Sequence, residues 1–364
     1  MIKVLVVDDS ALMRRALRQF FEEEGDFIVE TAKNGKEAIE KNLTFQPDVI
    51  TLDINMPEMD GLTALAHIMN TRPVPVVMVS SLTEEGALVT LEALNLGAVD
   101  YVTKPGGTIS LDIDKVRDEL IAKVRAAARA KLKPRLVVKR IKEEKEKIAK
   151  PLPAKEPTYD GGLVLIGVST GGPRTLEEIL PELPADFPLP IIVAQHMPPT
   201  FTKSFAQRLD SICQLRVVEV DQPMPVEPGM VYIGKGGTDV VLAKRGGRLI
   251  VQPKPENPKF LWHPSVELLG RSALEHCDPK KIIAVMLTGM GYDGADAFAE
   301  IKRRGGKTIA ESEESAVVFG MPKELIERGG ATLVLPAEKI AKQLIKWAKE
   351  MARDEEKRRV ANAH

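Results

Sequence analysis

The chain has 364 residues, with 51 lysines and arginines against 52 aspartates and glutamates. That length accommodates two ordinary domains, and the even charge argues against a general nucleic-acid binder while leaving room for local basic patches. Two cysteines, Cys213 and Cys277, make neither a disulfide framework nor a metal site, which predicts a reducing cytoplasm. The start MIKVLVVDDS reads as no signal peptide, and no apolar run is long enough to span a bilayer.

From residue 1 to 125, short apolar runs alternate with amphipathic stretches. KVLVVDD, DVITLDI, PVVMVSS and AVDYVTKP read as buried strands, and SALMRRALRQFFEE as a helix opened by Ser10. This rhythm predicts a doubly wound parallel sheet, whose functional crevice lies at the strand C-termini. Asp8 and Asp9 follow the first strand and Asp53 ends the third. Three carboxylates there repel one another unless a cation binds, and hard oxygen ligands suit Mg²⁺. Lys104, before Pro105, brings an ammonium to the same edge, and Ser80 offers a hydroxyl. Each is common alone as a cap or surface residue. Together they suit phosphoryl transfer to Asp53, with Mg²⁺ and Lys104 balancing the charge.

The motifs VVDDS, LDINMPEMDG, MVSS and YVTKP resemble the receiver domain of response regulators, a flavodoxin-like fold. The resemblance implies that Asp53 accepts phosphate from a histidine kinase. It implies Mg²⁺ held by Asp9, Asp53 and the Asn55 carbonyl, with Asp8 acting through water, and Ser80 and Tyr101 as a switch pair.

Residues 126–160 are rich in Lys, Arg, Glu and Pro. They read as a charged linker, whose first part prolongs a helix; a basic docking segment for an acidic partner is the other reading. Residues 161–350 form a second alternating region, with strands at LVLIGV, LPIIVAQ, GMVYIG, IIAVMLT and ATLVLP. VVLAKRGGRLIVQ breaks the rhythm as two runs around Gly246-Gly247, predicting an antiparallel hairpin in an otherwise doubly wound α/β domain. Ile340, Leu344, Trp347 and Met351 mark the packing face of a closing helix, and residues 351–364 are expected to fray.

GVSTGG, between a strand and a helix, fits either a nucleophile elbow presenting Ser169 or a backbone cradle for phosphate. A nucleophilic serine needs a base and the base an orienter. Of five histidines, His67 lies on a receiver helix, His276 late in another helix, and His364 ends the chain. His263, in LWHPS, remains a candidate substrate contact, whereas IIVAQ delivers His196 at a strand end. The apolar strand IIAVMLT leads through TGMGYDG to Asp293; Asp296 is its rival, lying in the following helical run. Three strand ends therefore bring Ser169, His196 and Asp293 to one sheet edge. Backbone N–H groups around Thr170–Gly172 or Met290–Gly291 are candidate oxyanion donors. Neither Gly-rich turn is followed by the Lys and Ser/Thr of a phosphate loop, which favours the elbow.

GVSTGG, QHMP, HPSVELL and LTGMGYDGA, following a receiver and a charged linker, resemble the CheB-type chemotaxis methylesterases over nearly the whole chain. The resemblance implies Ser169 as nucleophile, His196 as base, Asp293 as orienter and a Met290 contribution to the oxyanion site. It implies hydrolysis of γ-glutamyl methyl esters, and glutamine deamidation, on the cytoplasmic helices of chemoreceptors, with no cofactor at the hydrolase site. It also implies a chemotaxis histidine kinase as phosphodonor and recruitment to receptor clusters without membrane insertion. Val168 stands where the family usually has alanine, and the basic linker leaves receptor tethering open. The expected control is a receiver that covers the hydrolase site until Asp53 is phosphorylated. A receiver-linked nucleotide- or phosphate-binding module is the alternative. A transcription factor is disfavoured, because nothing after Gly161 reads as a compact recognition-helix domain.

Overall fold

A computed structural model describes residues 1–80, 83–104, 113–132 and 162–362. The chain divides into two compact units, Met1–Lys139 and Arg140–His364. Most of the predicted linker, residues 133–160, lies outside the described residues, as do Gly161 and His364.

The first unit runs β1 (Ile2–Val7), α1 (Ala11–Glu24), β2 (Phe27–Ala32), α2 (Gly35–Thr44), β3 (Val49–Asp53), α3 (Gly61–Thr71), β4 (Val76–Ser80), α4 (Glu84–Leu96), β5 (Asp100–Thr103) and α5 (Ile113–Ala128). Its parallel strands lie in the order β2-β1-β3-β4-β5, the flavodoxin-like arrangement. Ser10, Asn34, Asp60 and Thr83 cap α1 to α4, each accepting a backbone N–H through its side chain. Strand order reverses between β1 and β3, which puts Asp8, Asp9 and Asp53 at the switch point. The half-exposed β2, FIVETA, is not among the predicted strands, because one of its faces is not apolar. Helix α5 continues through the predicted boundary at 125 to Ala128.

The second unit runs β6 (Leu163–Val168), α6 (Gly172–Ile179), β7 (Ile191–Gln195), α7 (Pro199–Ile212), β8 (Arg216–Val220), β9 (Met224–Pro225), β10 (Met230–Gly234), β11 (Asp239–Arg245) and β12 (Arg248–Lys254). It continues with α8 (Val266–His276), β13 (Ile282–Met286), α9 (Ala295–Arg303), β14 (Lys307–Glu311), α10 (Met321–Glu327), β15 (Leu333–Leu335) and α11 (Ala337–Asn362). Seven parallel strands lie in the order β15-β14-β13-β6-β7-β10-β8, and β11, β12 and β9 form a separate antiparallel sheet. Gly246 and Gly247 take φ of 56° and 78°, so they make the tight β11–β12 turn without side-chain strain. The core stacks fully buried residues of the central strands, Leu163, Leu165, Ile192 and Ala284, against Leu269 and Phe298 of the covering helices.

Other elements also depart from the sequence reading. β8, the short β9 and β14 are additional strands; the charged ends of β8 and β14, Arg216, Lys307 and Glu311, interrupt the apolar signal. Helix α11 runs past residue 351, where fraying was expected, to Asn362. That tail contains neither Gly nor Pro and is rich in good helix formers, so nothing stops the helix. Ile340, Leu344 and Trp347 are buried on its packing face, as expected.

Candidate active site

The central strands β13, β6 and β7 are neighbours, and their C-termini carry the three predicted side chains. The ladder continues past the strand ends. Leu287 N–H donates to Gly167 O (2.9 Å), Ser169 N–H to Thr288 O (3.0 Å) and His196 N–H to Val168 O (3.1 Å). Serine and histidine are therefore fixed by backbone bonds before their side chains act. A Cβ at Gly172 would lie 2.0 Å from Gln195 Oε1, so only glycine permits this close approach. The buried Gln195 amide donates to Ser169 O (3.0 Å) and His196 O (3.1 Å), tying the two turns together.

His196 Nε2 lies 2.9 Å from Asp293 Oδ2. The Asp293 carboxylate also accepts from Ser265 Oγ (3.1 Å), Val266 N–H (2.6 Å) and Glu267 N–H (3.0 Å). It thus sits on the N-terminus of α8, where unpaired amides and the helix dipole favour negative charge. All its other partners donate, so Asp293 acts as acceptor and Nε2 carries the imidazole proton. Nδ1 keeps the lone pair; it is buried and has no hydrogen-bond partner. An imidazole oriented this way, with its second nitrogen open, suits proton abstraction.

The turns at Thr170 and Met290 share one brace. Thr288 Oγ1 donates to Thr170 O (2.9 Å) and accepts from Val318 N–H (2.9 Å). Thr288 N–H donates to Glu311 Oε2 (2.8 Å), and Ser315 Oγ to Glu311 Oε1 (2.7 Å). Gly289 O accepts from Gly320 N–H (3.1 Å) and Met321 N–H (2.9 Å). Gln195, Ser265, Thr288 and Glu311 were all missed in the sequence. Gln195 and Thr288 carried the same strand-end signal as Ser169, but Glu311 ends a strand that was itself not read.

The other candidates are not part of this constellation. Asp296 is exposed and pairs with Arg328 (2.7 Å), and His67 is exposed on α3. His276 ends α8. His263 Nδ1 is bound to the buried Asp239 at 2.8 Å.

In the receiver, Asp8, Asp9 and Asp53 bring carboxylate oxygens within 4.8 Å of one another, the one such cluster among the described residues. Lys104 Nζ lies 2.9 Å from Asp8 and 2.8 Å from Asp53. Burial pushes the Asp53 carboxyl above its ordinary value; Lys104 opposes this and Asp8 adds to it. Burial works against the Lys104 charge, yet the two carboxylates raise its pKa. This hard-oxygen set, with excess negative charge partly buried, fits Mg²⁺. Asn55 is exposed just beyond β3. Ser80 Oγ lies 2.7 Å from Thr90 Oγ1 and 3.3 Å from Gly86 O, and Tyr101 is buried.

Two family descriptions match the chain: response regulator receiver domain over residues 4–112 and CheB methylesterase over residues 164–344. A protein-glutamate methylesterase/protein-glutamine glutaminase of Rhodospirillum rubrum is 57% identical over 357 residues, covering 95% of this chain and 96% of that protein. One of Caldanaerobacter subterraneus is 50% identical over 362 residues, covering 98% and 99%. The crystal structure of the Thermotoga maritima CheB methylesterase catalytic domain aligns with 46% identity and a TM-score of 0.50, covering 52% of this chain and 100% of that one. With close relatives that match it from receiver to catalytic domain, the chain belongs to the CheB methylesterase family.

Proposed function

We propose that this protein is a phosphorylation-activated serine hydrolase that cleaves γ-glutamyl methyl esters, and deamidates glutamines, on the cytoplasmic helices of chemoreceptors. The carrying observation is the partly buried His196, bound through Nε2 to an Asp293 seated on a helix N-terminus, with Nδ1 left unpaired. The names of the close relatives supply the substrate class. Ser169 Oγ attacks the ester carbonyl while Nδ1 takes its proton. Backbone N–H groups of Thr170 and Met290 receive the oxyanion, and the imidazolium returns its proton to the departing methoxide, which leaves as methanol. Water then releases the glutamate by the reverse proton path. For glutamine the leaving group is ammonia. These steps use side chains and backbone alone.

In the receiver, residues 1–125, Asp53 accepts a phosphoryl group from a chemotaxis histidine kinase. Asp9, Asp53 and the Asn55 carbonyl would hold Mg²⁺, with Asp8 beside them, and the ion when bound would supply positive charge to balance the phosphoryl group. Lys104 pairs with the phosphorylated side chain, Ser80 turns toward it, and Tyr101 completes the switch. The catalytic domain spans residues 161–350, and the protein works in the cytoplasm at receptor clusters. No helix among the described residues is long and apolar enough to cross a membrane.

A fluorophosphonate probe tests the hydrolase reading. It should label Ser169, identified by mapping the modified peptide; a phosphate-binding module would leave the serine unmodified.

Mg²⁺ should raise the Tm of the receiver transition, by about 1.4 kcal/mol of stability at ten times its Kd. Asp53→Asn should raise Tm without the metal and erase the Mg²⁺ increment. Because burial holds the folded-state value above the unfolded one, ionised Asp53 costs stability at neutral pH. That cost disappears below the ordinary aspartate range, where both states are protonated. An Mg²⁺ response that survives Asp53→Asn would displace the proposed site.

Thr288→Val should lower kcat by about tenfold with KM little changed, because it frees the Thr170 carbonyl and strands the Val318 N–H. Thr288→Ser should keep most of kcat. Equal losses in both variants would mean that the hydroxyl has no positioning role.

A further inference from the structure

Beside the base, the loop between β12 and α8 carries three consecutive apolar residues, Phe260, Leu261 and Trp262, on the protein surface. Leu261 is 73% exposed and the nearby Tyr292 is 51% exposed. Connecting loops are ordinarily polar, and a contiguous apolar surface commonly marks an interaction site. This loop is also held rigidly. The fully buried Asp239 carboxylate accepts from Asn257 N–H (2.9 Å), Ser265 N–H (2.9 Å) and the His263 ring (2.8 Å), at both ends of the segment. Trp262 stacks near-parallel to His196, with ring centroids 6.0 Å apart and an interplanar angle of 8°. Tyr292, which precedes Asp293 in the chain, meets Trp262 edge-on at 5.1 Å.

We infer that Leu261, Trp262 and Tyr292 form a preformed apolar lip that docks the polypeptide segment flanking the scissile ester. The inference rests on the hydrolase reading and extends it to how a protein substrate is selected. The lip is built on residues that touch or adjoin the base and its orienter. An ester side chain reaching Ser169 therefore brings its own backbone and neighbouring side chains to this rim. Rigid aromatic groups gain contact area while losing little conformational freedom, which is the composition expected of a docking surface. His263 thus acts by holding the loop, through Asp239.

The test compares two readouts on the full-length, phosphorylated protein: kcat/KM on a methyl-esterified receptor fragment, and the rate of fluorophosphonate labelling. Leu261→Ser and Leu261→Asp alter an exposed side chain, so the fold should survive. The loss on the receptor fragment should exceed the loss in labelling by about tenfold, mainly through KM, and should be larger for Leu261→Asp. Equal losses in the two assays would overturn the inference, as would no loss in either. A rise in resting activity without a raised KM would assign the lip to the receiver, and would also overturn it. Failure of the hydrolase reading looks different: wild type would neither label nor release methanol.

Discussion

Ser169→Ala should abolish methanol release while leaving the fold in place. The backbone of residue 169 does the structural work, with its N–H on Thr288 and its carbonyl accepting from Gly172 and Gln195. Alanine keeps all three bonds and loses only the hydroxyl. Removing the nucleophile of such a unit leaves binding and oxyanion stabilisation alone, so the rate should fall by roughly 10⁴-fold or more. Initial rates and a thermal melt on the same sample decide the matter. Near-normal turnover in a folded variant would disprove the assignment of Ser169.

Asp293→Asn should be nearly as damaging to activity, and it should also destabilise the domain. Oδ2 accepts from both His196 and Val266, and Oδ1 accepts from Ser265 and Glu267. An asparagine must set its NH₂ against one of these pairs of donors. If the NH₂ replaces Oδ2, the His196 proton is driven to the other nitrogen and the base is lost, at a cost of about 10⁴-fold in kcat. If it replaces Oδ1, the Glu267 N–H at the start of α8 loses its acceptor, costing about 1–3 kcal/mol. Asp296→Asn should do neither, because Asp296 is exposed and pairs with Arg328. Comparing kcat and Tm for the two variants tests the choice between these acids. If Asp296→Asn were the inactive one, Asp293 would not be the orienter.

The sheet edges were legible because each of their residues follows an uninterrupted apolar strand. Val49–Asp53, Ile191–Gln195 and Ile282–Met286 are buried throughout, and the chemistry begins where they stop. Strand adjacency was not legible: that β13, β6 and β7 are neighbours depends on helix crossovers spread over more than a hundred residues. The supporting groups were hidden for a related reason. Asp239 and Glu311 are fully buried carboxylates whose partners are amides, a hydroxyl and an imidazole from other loops, and local sequence carries no mark of such pairing. His263 illustrates the limit. Its position before a helix suggested a substrate contact, and nothing local revealed the bond of its Nδ1 to Asp239. The length of α11 was less legible: position at the chain end suggested fraying, while the helix propensity of the same residues carries the helix to Asn362.

The central claim joins the two units: phosphorylation of Asp53 controls hydrolysis at Ser169. Its most direct test is the initial rate of methanol release from a methyl-esterified receptor fragment by the full-length protein. Wild type and Asp53→Ala are each assayed with and without a small-molecule phosphodonor and Mg²⁺. A resting state favoured by about 2 kcal/mol predicts a roughly thirtyfold rise for wild type. Asp53→Ala should show no rise. Wild-type rates that stay equal while Asp53 is demonstrably phosphorylated would contradict the account.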